Sequence, residues 1–464
     1  MMNIFKEKKY KNILVLGAGG SGMNVVCQYL VSNGIIVYAS DRGFDQDKKT
    51  RIKNILSSKG VKIINEKNNI SDKKIDFLII TPAVENEHNS ILQAKELGIP
   101  VIKRTEFLLD IFNSSNGIAI AGTSGKTTIT GMTATVLHKN NLNYTTICGD
   151  EILNFSDDSN LGNFIPGDRD KILLELDESD GSLPLYKPGI ASLSTLEKDH
   201  YKLSELESMF NVFCGNTKKI IINIDNPNLF KFYTSYKSKC VSVSTLNKNA
   251  DLFGEITEVS GNRIYFHING KKGVLNISGM YNVNNALCAA AVSGEAGVSL
   301  DKSLESLSYF KGVRNRFETL EIDNKFIILD FAHNPEKIKA SLISAQNLSK
   351  PVTYIFQPHG YGPLKFMLDE FASAFNDCLR TQDTLILLKV FDAGGTADRT
   401  IQSNNLLEKI NHDNVLYIED KNELNVYFKK NNSKSITWVI AGARDESLRD
   451  IQKEFYKIAQ GNIG

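Results

Sequence analysis

The chain has 464 residues, 42% of them hydrophobic and 23% charged, the balance of a globular protein too long for one ordinary core. Two or three domains are expected. With 54 basic and 53 acidic residues the net charge is +1, so the electrostatic footprint of a nucleic-acid binder is lacking.

No apolar run is long enough to span a bilayer. The first ten residues hold no apolar signal core, so a cytoplasmic location is expected. The cysteines (Cys27, Cys148, Cys214, Cys240, Cys288 and Cys378) are scattered, with no C-x-x-C pair. They read as reduced, structural thiols.

Residues 1–113 read as the first domain. A strand at 12–16 runs into Gly17-Ala-Gly-Gly-Ser-Gly22 and a helix reaching about residue 33. Further strands are expected at 35–39, 76–80 and 100–102. Strands alternating with helices imply a parallel, doubly wound sheet. Gly17, Gly19 and Gly22 fit G-x-G-x-x-G, and Asp41 ends the second strand. That pattern reads as dinucleotide binding. It equally fits the diphosphate of a nucleotide-linked substrate, with Gly17, Gly19, Gly20, Ser21, Gly22 and Asp41 as contacts. Close helix–strand packing is the third reading.

Residues 114–314 read as the second domain. Ile118-Ala-Ile-Ala-Gly-Thr-Ser-Gly-Lys-Thr-Thr128 is a strand, a glycine turn, a lysine and hydroxyls that open a helix. This order builds a phosphate cradle from Gly122, Thr123, Ser124, Gly125, Lys126, Thr127 and Thr128, in a form more compact than the strict Walker A. Lys126 would reach the β/γ-phosphates and the Thr127 hydroxyl would ligate Mg²⁺. Strands follow at 170–176, 190–194 and 219–224. The first ends in carboxylates, with Glu175 and Asp177 expected on one strand face, where Mg²⁺ is usually held. Glu197-Lys-Asp-His200 follows the second, and in that position His200 is favoured as a metal ligand over a surface histidine. Residues 264–268 followed by Asn269-Gly270 signal a β-hairpin, a small β excursion inside this domain. Residues 284–297 are alanine-rich and helical.

Residues 315–464 read as a third α/β domain, with strands at 326–329, 352–356, 384–388 and 437–440. Arg314 and Arg316 lie at the junction, where an arginine neutralises charge on a transferring phosphoryl group. Asp330-Phe-Ala-His333 and Gln357-Pro-His359 each follow a strand and face a ligand at the sheet's C-terminal edge.

These motifs in series resemble the Mur ligase family over nearly the whole chain. The resemblance is carried by Gly17–Met23, Gly98–Arg104, Gly122–Thr128, Glu175–Asp180, Glu197–His200, Tyr281–Ala286, Arg316-Phe317, Asp330–His333 and Phe356–His359. Within the family the text is most similar to the branch of UDP-N-acetylmuramate–L-alanine ligases and muropeptide-recycling ligases. The resemblance implies three α/β domains: a Rossmann-like N-terminal domain for a UDP-linked acceptor, a central P-loop ATPase, and a Rossmann-like C-terminal domain that brings the amino acid. It implies ATP and Mg²⁺, a carboxylate activated as an acyl phosphate, and attack by an amine. Thr127 and Glu175 would hold one Mg²⁺ and His200 a second. Asn282 and Asn285 would contact adenine. Arg316 and Asp330 would grip ATP, with His333 close by and domain closure excluding water. Lys126, Glu175, His200 and Arg316 would carry the chemistry, and His359 would meet substrate.

The text departs from that branch at Ser124, where histidine is usual, and after His359. There Gly-Tyr-Gly-Pro-Leu-Lys365 replaces the arginines that orient an amino acid's carboxylate. Lys365 does not reproduce a bidentate arginine clamp, so the amino acid stays open. Two other classes remain as alternatives: a nicotinamide-dependent oxidoreductase built on the first glycine loop, and a non-catalytic nucleotide-binding scaffold.

Overall fold

The computed structural model describes residues 10–198, 201–392, 398–443 and 445–461. The chain divides into two compact units, one running to Phe253 and including Asn284–Val313, the other made of Gly254–Val283 and the chain from Arg314.

The first unit holds two sheets. Strands β1 (Asn12–Leu16), β2 (Ile36–Ser40), β3 (Lys62–Ile63), β4 (Phe77–Ile80) and β5 (Val101–Lys103) form a parallel sheet in the order β3-β2-β1-β4-β5. Ile13, Leu14, Val15 and Leu16 are all buried, the unbroken apolar run expected of a strand covered on both faces. The order reverses beside β1, and the first glycine loop leaves β1 at that point, where doubly wound sheets bind ligands.

The second sheet takes β6 (Ile118–Ala121), β7 (Tyr144–Ile147), β8 (Phe164–Ile165), β9 (Asp168–Glu175), β10 (Ile190–Leu193), β11 (Lys219–Asn223) and β12 (Cys240–Ser244) in the order β12-β11-β10-β6-β9-β7-β8. Only β8, against β7, is antiparallel among these pairs. One apolar cluster runs from Ile13 through Ile120's neighbours Ala119 and Ala121 to Phe232, so both sheets share a core. A buried amide network joins them as well: Asn163 donates to Asn24 Oδ1 at 2.8 Å, and Gln28 donates to Asn163 Oδ1 at 3.2 Å.

In the second unit most of β13 (Leu252–Ser260) pairs with β14 (Arg263–Ile268), which pairs with β15 (Lys271–Leu275), all antiparallel. The β14–β15 turn is the expected Asn269-Gly270, with φ of 50° and 80°. Positive φ at both central positions matches the right-handed strand twist, which is why this dipeptide signals a hairpin. A six-stranded sheet takes β16 (Glu318–Ile322), β17 (Lys325–Asp330), β18 (Val352–Gln357), β19 (Thr384–Leu388), β20 (Val415–Ile418) and β21 (Thr437–Gly442) in the order β16-β17-β21-β18-β19-β20. Edge strand β16 is antiparallel and the others are parallel. Trp438, Tyr354 and Phe356 of this sheet are fully buried, as is Phe375 on the helix Leu368–Cys378.

Candidate active site

The phosphate loop follows β6, between β10 and β9. Gly122 has φ +130° and Gly125 +83°, conformations that side chains resist. A Cβ on Gly122 would also fall 2.9 Å from Thr195 O, and one on Gly125 2.7 Å from Asn285 Oδ1. The loop is tied down from the end of β10. Thr123 N–H donates to Thr195 O at 3.0 Å, Ser124 N–H to Thr195 Oγ1 at 2.8 Å, and Ser194 Oγ to Ser124 O. The amides of Thr123 and Ser124 thus shape the loop, and the start of helix Lys126–Lys139 faces the anion position.

Glu175 ends β9 beside this helix. Its Oε1 accepts from Thr127 Oγ1 at 2.8 Å and its Oε2 from Gly149 N–H at 2.7 Å. The buried Cys148 thiol lies 3.5 Å from the same Oε2, and burial, then Glu175, pushes its pKa well up. Lys126 Nζ meets Glu178 Oε2 at 2.9 Å, with both side chains largely buried. Burial pulls the Lys126 pKa down, but Glu178, Asp177 and Glu175 outweigh it and hold the ammonium above its ordinary value. Burial raises Glu178 despite Lys126.

The strand stops at Glu175, one residue before the expected end. Asp177 is therefore not on a strand face with Glu175. Its side chain instead caps a short 3-10 turn by accepting from Ser179 N–H at 3.1 Å. His200 lies outside the described residues. Glu197 is described, and its Oε1 accepts from Asn226 at 3.2 Å.

In the first glycine loop, Asp41 is buried and already engaged. Its Oδ2 accepts from Gly19 N–H at 2.9 Å and its Oδ1 from Gly43 N–H at 2.7 Å. These bonds fasten the loop to β2's end. Gly17 has φ +76°, and its N–H donates to Ser40 O at 2.9 Å.

The second unit gathers another set of the expected residues. Arg316 sits between two left-handed residues, Asn315 (φ 59°) and Phe317 (φ 48°). Such strain persists only where neighbours impose it. Here Arg449 holds Asn315 Oδ1 at 2.9 Å and Glu318, and Phe317 N–H donates to Asp330 Oδ1 at 3.1 Å. Arg316 stacks on Phe331 with its guanidinium carbon 4.3 Å from the ring centre, and its buried Nε has no hydrogen-bond partner among the described residues. Burial raises the Asp330 pKa, while Ser341, the Phe317 amide and Arg316 oppose it. His333 lies 4.8 Å from the His359 ring, and its Nδ1 donates to Phe331 O at 2.7 Å. Burial, then Lys337 and His359, hold its pKa well below the ordinary value, so it is neutral. Asn282 also belongs to this unit, and its side chain donates to Ser278 O at 2.7 Å.

Three stretches match family models in series: 12–116 to the catalytic domain of the Mur ligase family, 120–293 to the Mur ligase middle domain, and 315–444 to the Mur ligase glutamate ligase domain. A UDP-N-acetylmuramate–L-alanine ligase of Sulfurihydrogenibium sp. is 31% identical over 89% of this chain and 91% of its own. The chain belongs to the Mur ligase family. It is thus an enzyme, an ATP-dependent ligase that forms an amide bond. A UDP-N-acetylmuramate–L-alanine ligase of Persephonella marina is 30% identical over 98% of this chain and 99% of its own. The solved structure of the Thermotoga maritima UDP-N-acetylmuramate–alanine ligase matches the fold with a TM-score of 0.76 at 24% identity, covering 97% of this chain and 99% of that one. A murein peptide ligase from Psychrobacter arcticus matches with 0.67 at 21%, covering 98% and 99%. No helix among the described residues is long and apolar enough to cross a membrane.

Glu178, Gly149 and Thr195 were not singled out from the sequence of this Mur ligase. Glu178 stands in the acidic run that drew notice, but its partner Lys126 is 52 positions away and only the fold joins them.

Proposed function

We propose that this Mur ligase joins L-alanine to the carboxylate of UDP-N-acetylmuramate in the cytoplasm, as an early step in building peptidoglycan precursors. The observation that carries the chemistry is the pairing of Thr127 with Glu175 beside Lys126 on the phosphate loop. The relatives named for that reaction, about 30% identical over nearly the full chain, carry the substrates.

Thr127 and Glu175 offer hard oxygens 2.8 Å apart, which suits Mg²⁺, an ion that takes one or two protein oxygens and completes its shell with phosphates and water. Among the described residues no group of three or more His, Cys, Asp or Glu encloses a metal. When bound, the ion would neutralise charge on the phosphates. Lys126 would leave Glu178 and meet the β/γ-phosphates as the acceptor's carboxylate oxygen attacks the γ-phosphorus and ADP departs. The amine of alanine then attacks the acyl carbon, and phosphate leaves with the oxygen that joined it to the acyl group. Arg316, Asp330 and His333 are proposed as nucleotide contacts, with Asn282 and Asn285 at adenine and His359 at substrate. The first glycine loop takes the UDP-linked acceptor.

A second reading keeps the ligase and changes the amine to another amino acid or a peptide. It is favoured by one observation: Lys365, the cation nearest in sequence to the altered loop, is tied to Asp398 at 2.8 Å. Phosphate release from ATP, with UDP-N-acetylmuramate and each amino acid in turn, separates the two. Release that requires L-alanine supports the first; release with another amine alone supports the second.

A further inference from the structure

Residues 148–163 join β7 to β8 as a closed loop within the first unit. Its ends meet, with Cys148 N–H donating to Asn163 O at 2.9 Å, and Ile152 and Leu161 are buried. Compact loops of this kind are often functional. Near its start, Gly149 N–H donates to Glu175 Oε2 at 2.7 Å, so the loop fixes one oxygen of the carboxylate that pairs with Thr127.

Two residues on, Glu151 is held by a helix of the first sheet. Arg51 lies on helix Thr50–Ser58, between β2 and β3. Its Nη1 donates to Glu151 Oε1 at 2.6 Å, and its Nη2 to Asp157 O at 3.2 Å and Ser156 Oγ at 3.3 Å. Ser156 Oγ donates in turn to Glu151 Oε2 at 2.9 Å. Lys59, at the end of the same helix, donates to Asn160 Oδ1 at 2.7 Å. The helix is itself anchored after β2, where Lys53 Nζ donates to Phe44 O at 3.1 Å. A second tether reaches the loop from the chain before Arg314. Ile152 bridges to Val313, and Asn154 donates to Tyr309 O at 2.7 Å and accepts from Lys311 N–H at 2.8 Å.

An exposed ion pair contributes little, but the Glu151 side chain is only 13% exposed and the guanidinium grips the loop at three residues. The planar fork therefore sets a direction as well as a charge. Gly149 and Glu151 are about 7 Å apart at full stretch, so a displaced Glu151 carries the Gly149 amide with it.

We infer that Arg51 and Glu151 are positioning residues for Glu175. The loop 148–163 is a strap that carries the place of the first sheet's helix to the carboxylate through the Gly149 amide. This rests on the reading of Thr127 and Glu175 as the Mg²⁺ oxygens.

The test is Mg²⁺ titration of a fluorescent ADP analogue on the full-length protein, with melting temperature as the check on folding. Arg51→Met and Glu151→Gln should each raise the Mg²⁺ concentration for half-maximal binding about three- to ten-fold, less than the loss of a direct orienting partner. Arg51→Lys, which keeps charge without the fork, should fall between wild type and Arg51→Met. In a Gly149→Ala background Arg51→Met should add little, because both act through one amide. Unchanged Mg²⁺ dependence in Arg51→Met, or effects that add in full, overturns the proposal. Hydrogen exchange of the ligand-free protein is the second measurement. Arg51→Met should speed exchange at residues 149–152, and unchanged exchange there overturns the strap. A wild type whose nucleotide binding ignores Mg²⁺ overturns the metal reading and the positioning role with it, whereas exchange tests the strap by itself.

Discussion

Gly149 N–H donates to Glu175 Oε2 at 2.7 Å while Thr127 Oγ1 donates to Oε1 at 2.8 Å, so both oxygens of the proposed metal carboxylate are fixed from two elements. Gly149 permits this because a Cβ there would lie 2.9 Å from Oε2 and 3.0 Å from Oε1. Gly149→Ala should displace the carboxylate and raise the Mg²⁺ concentration needed for half-maximal nucleotide binding by about 10- to 100-fold, the size of effect seen when a metal ligand loses its orienting partner. Titrating Mg²⁺ against a fluorescent ADP analogue reads this without turnover. Unchanged Mg²⁺ dependence would remove Gly149 from the site.

Lys126 and Glu178 form a buried pair, so removing one partner should leave an uncompensated charge. Lys126→Ala is expected to abolish ligase activity and to cost about 3 kcal/mol of stability. Adding Glu178→Gln should restore most of the stability and none of the activity. Chemical denaturation of both variants beside a phosphate-release assay checks the split. Equal stability of wild type and Lys126→Ala would show that the pair contributes nothing.

His333 provides a pH signature. Its folded pKa is depressed below the ordinary histidine value of 6.5, so the unfolded chain binds the proton first as pH falls. Its contribution to stability is therefore complete above 6.5 and is lost as pH drops from there toward the folded value. The melting temperature of wild type should fall more between about pH 7 and about pH 5 than that of His333→Gln. Parallel curves for the two proteins would contradict a buried neutral His333.

Arg449 is expected to matter through the turn that presents Arg316. Its bond to Asn315 and its ion pair with Glu318 hold the left-handed turn that presents Arg316, and the pair is only 15% and 17% exposed. Glu318 is held below the usual carboxylate range because the hydrogen bonds and charge of Arg449 outweigh burial. Arg449→Ala should cost about 3 kcal/mol and lower activity, whereas Arg449→Met with Glu318→Leu should recover stability without activity. Denaturation curves and turnover measured together decide it.

Much of this architecture was legible from local pattern. The two glycine loops, the strands entering them and the Asn269-Gly270 turn each depend on a few adjacent residues with special backbone demands. The strand at 384–388 was read with its observed bounds, and most others within one or two residues. The two-residue strands β3 and β8, and antiparallel β16 with its mixed Glu-Thr-Leu-Glu-Ile text, were not legible, because they lack either length or continuous hydrophobicity. Asp177 was misplaced on a strand face because an aspartate's own capping bond ends the strand, a choice that alternation alone does not reveal. The closure of Asp41's oxygens on backbone amides from two loops was likewise not legible from the pattern. The Lys126–Glu178 pair and the Thr195 tether join residues 52 and about 72 positions apart and exist only once the parallel sheet aligns β6, β9 and β10.

The central claim is that a carboxylate activated by ATP receives the amine of L-alanine. It is tested most directly with UDP-N-acetylmuramate carrying oxygen-18 in its carboxylate, incubated with ATP, Mg²⁺ and L-alanine. One labelled oxygen should appear in the released inorganic phosphate, together with the alanyl product and ADP, and none should appear when L-alanine is omitted. Product formed with unlabelled phosphate, or with the label in AMP, would contradict the acyl phosphate, and labelled phosphate only with a different amine would contradict alanine.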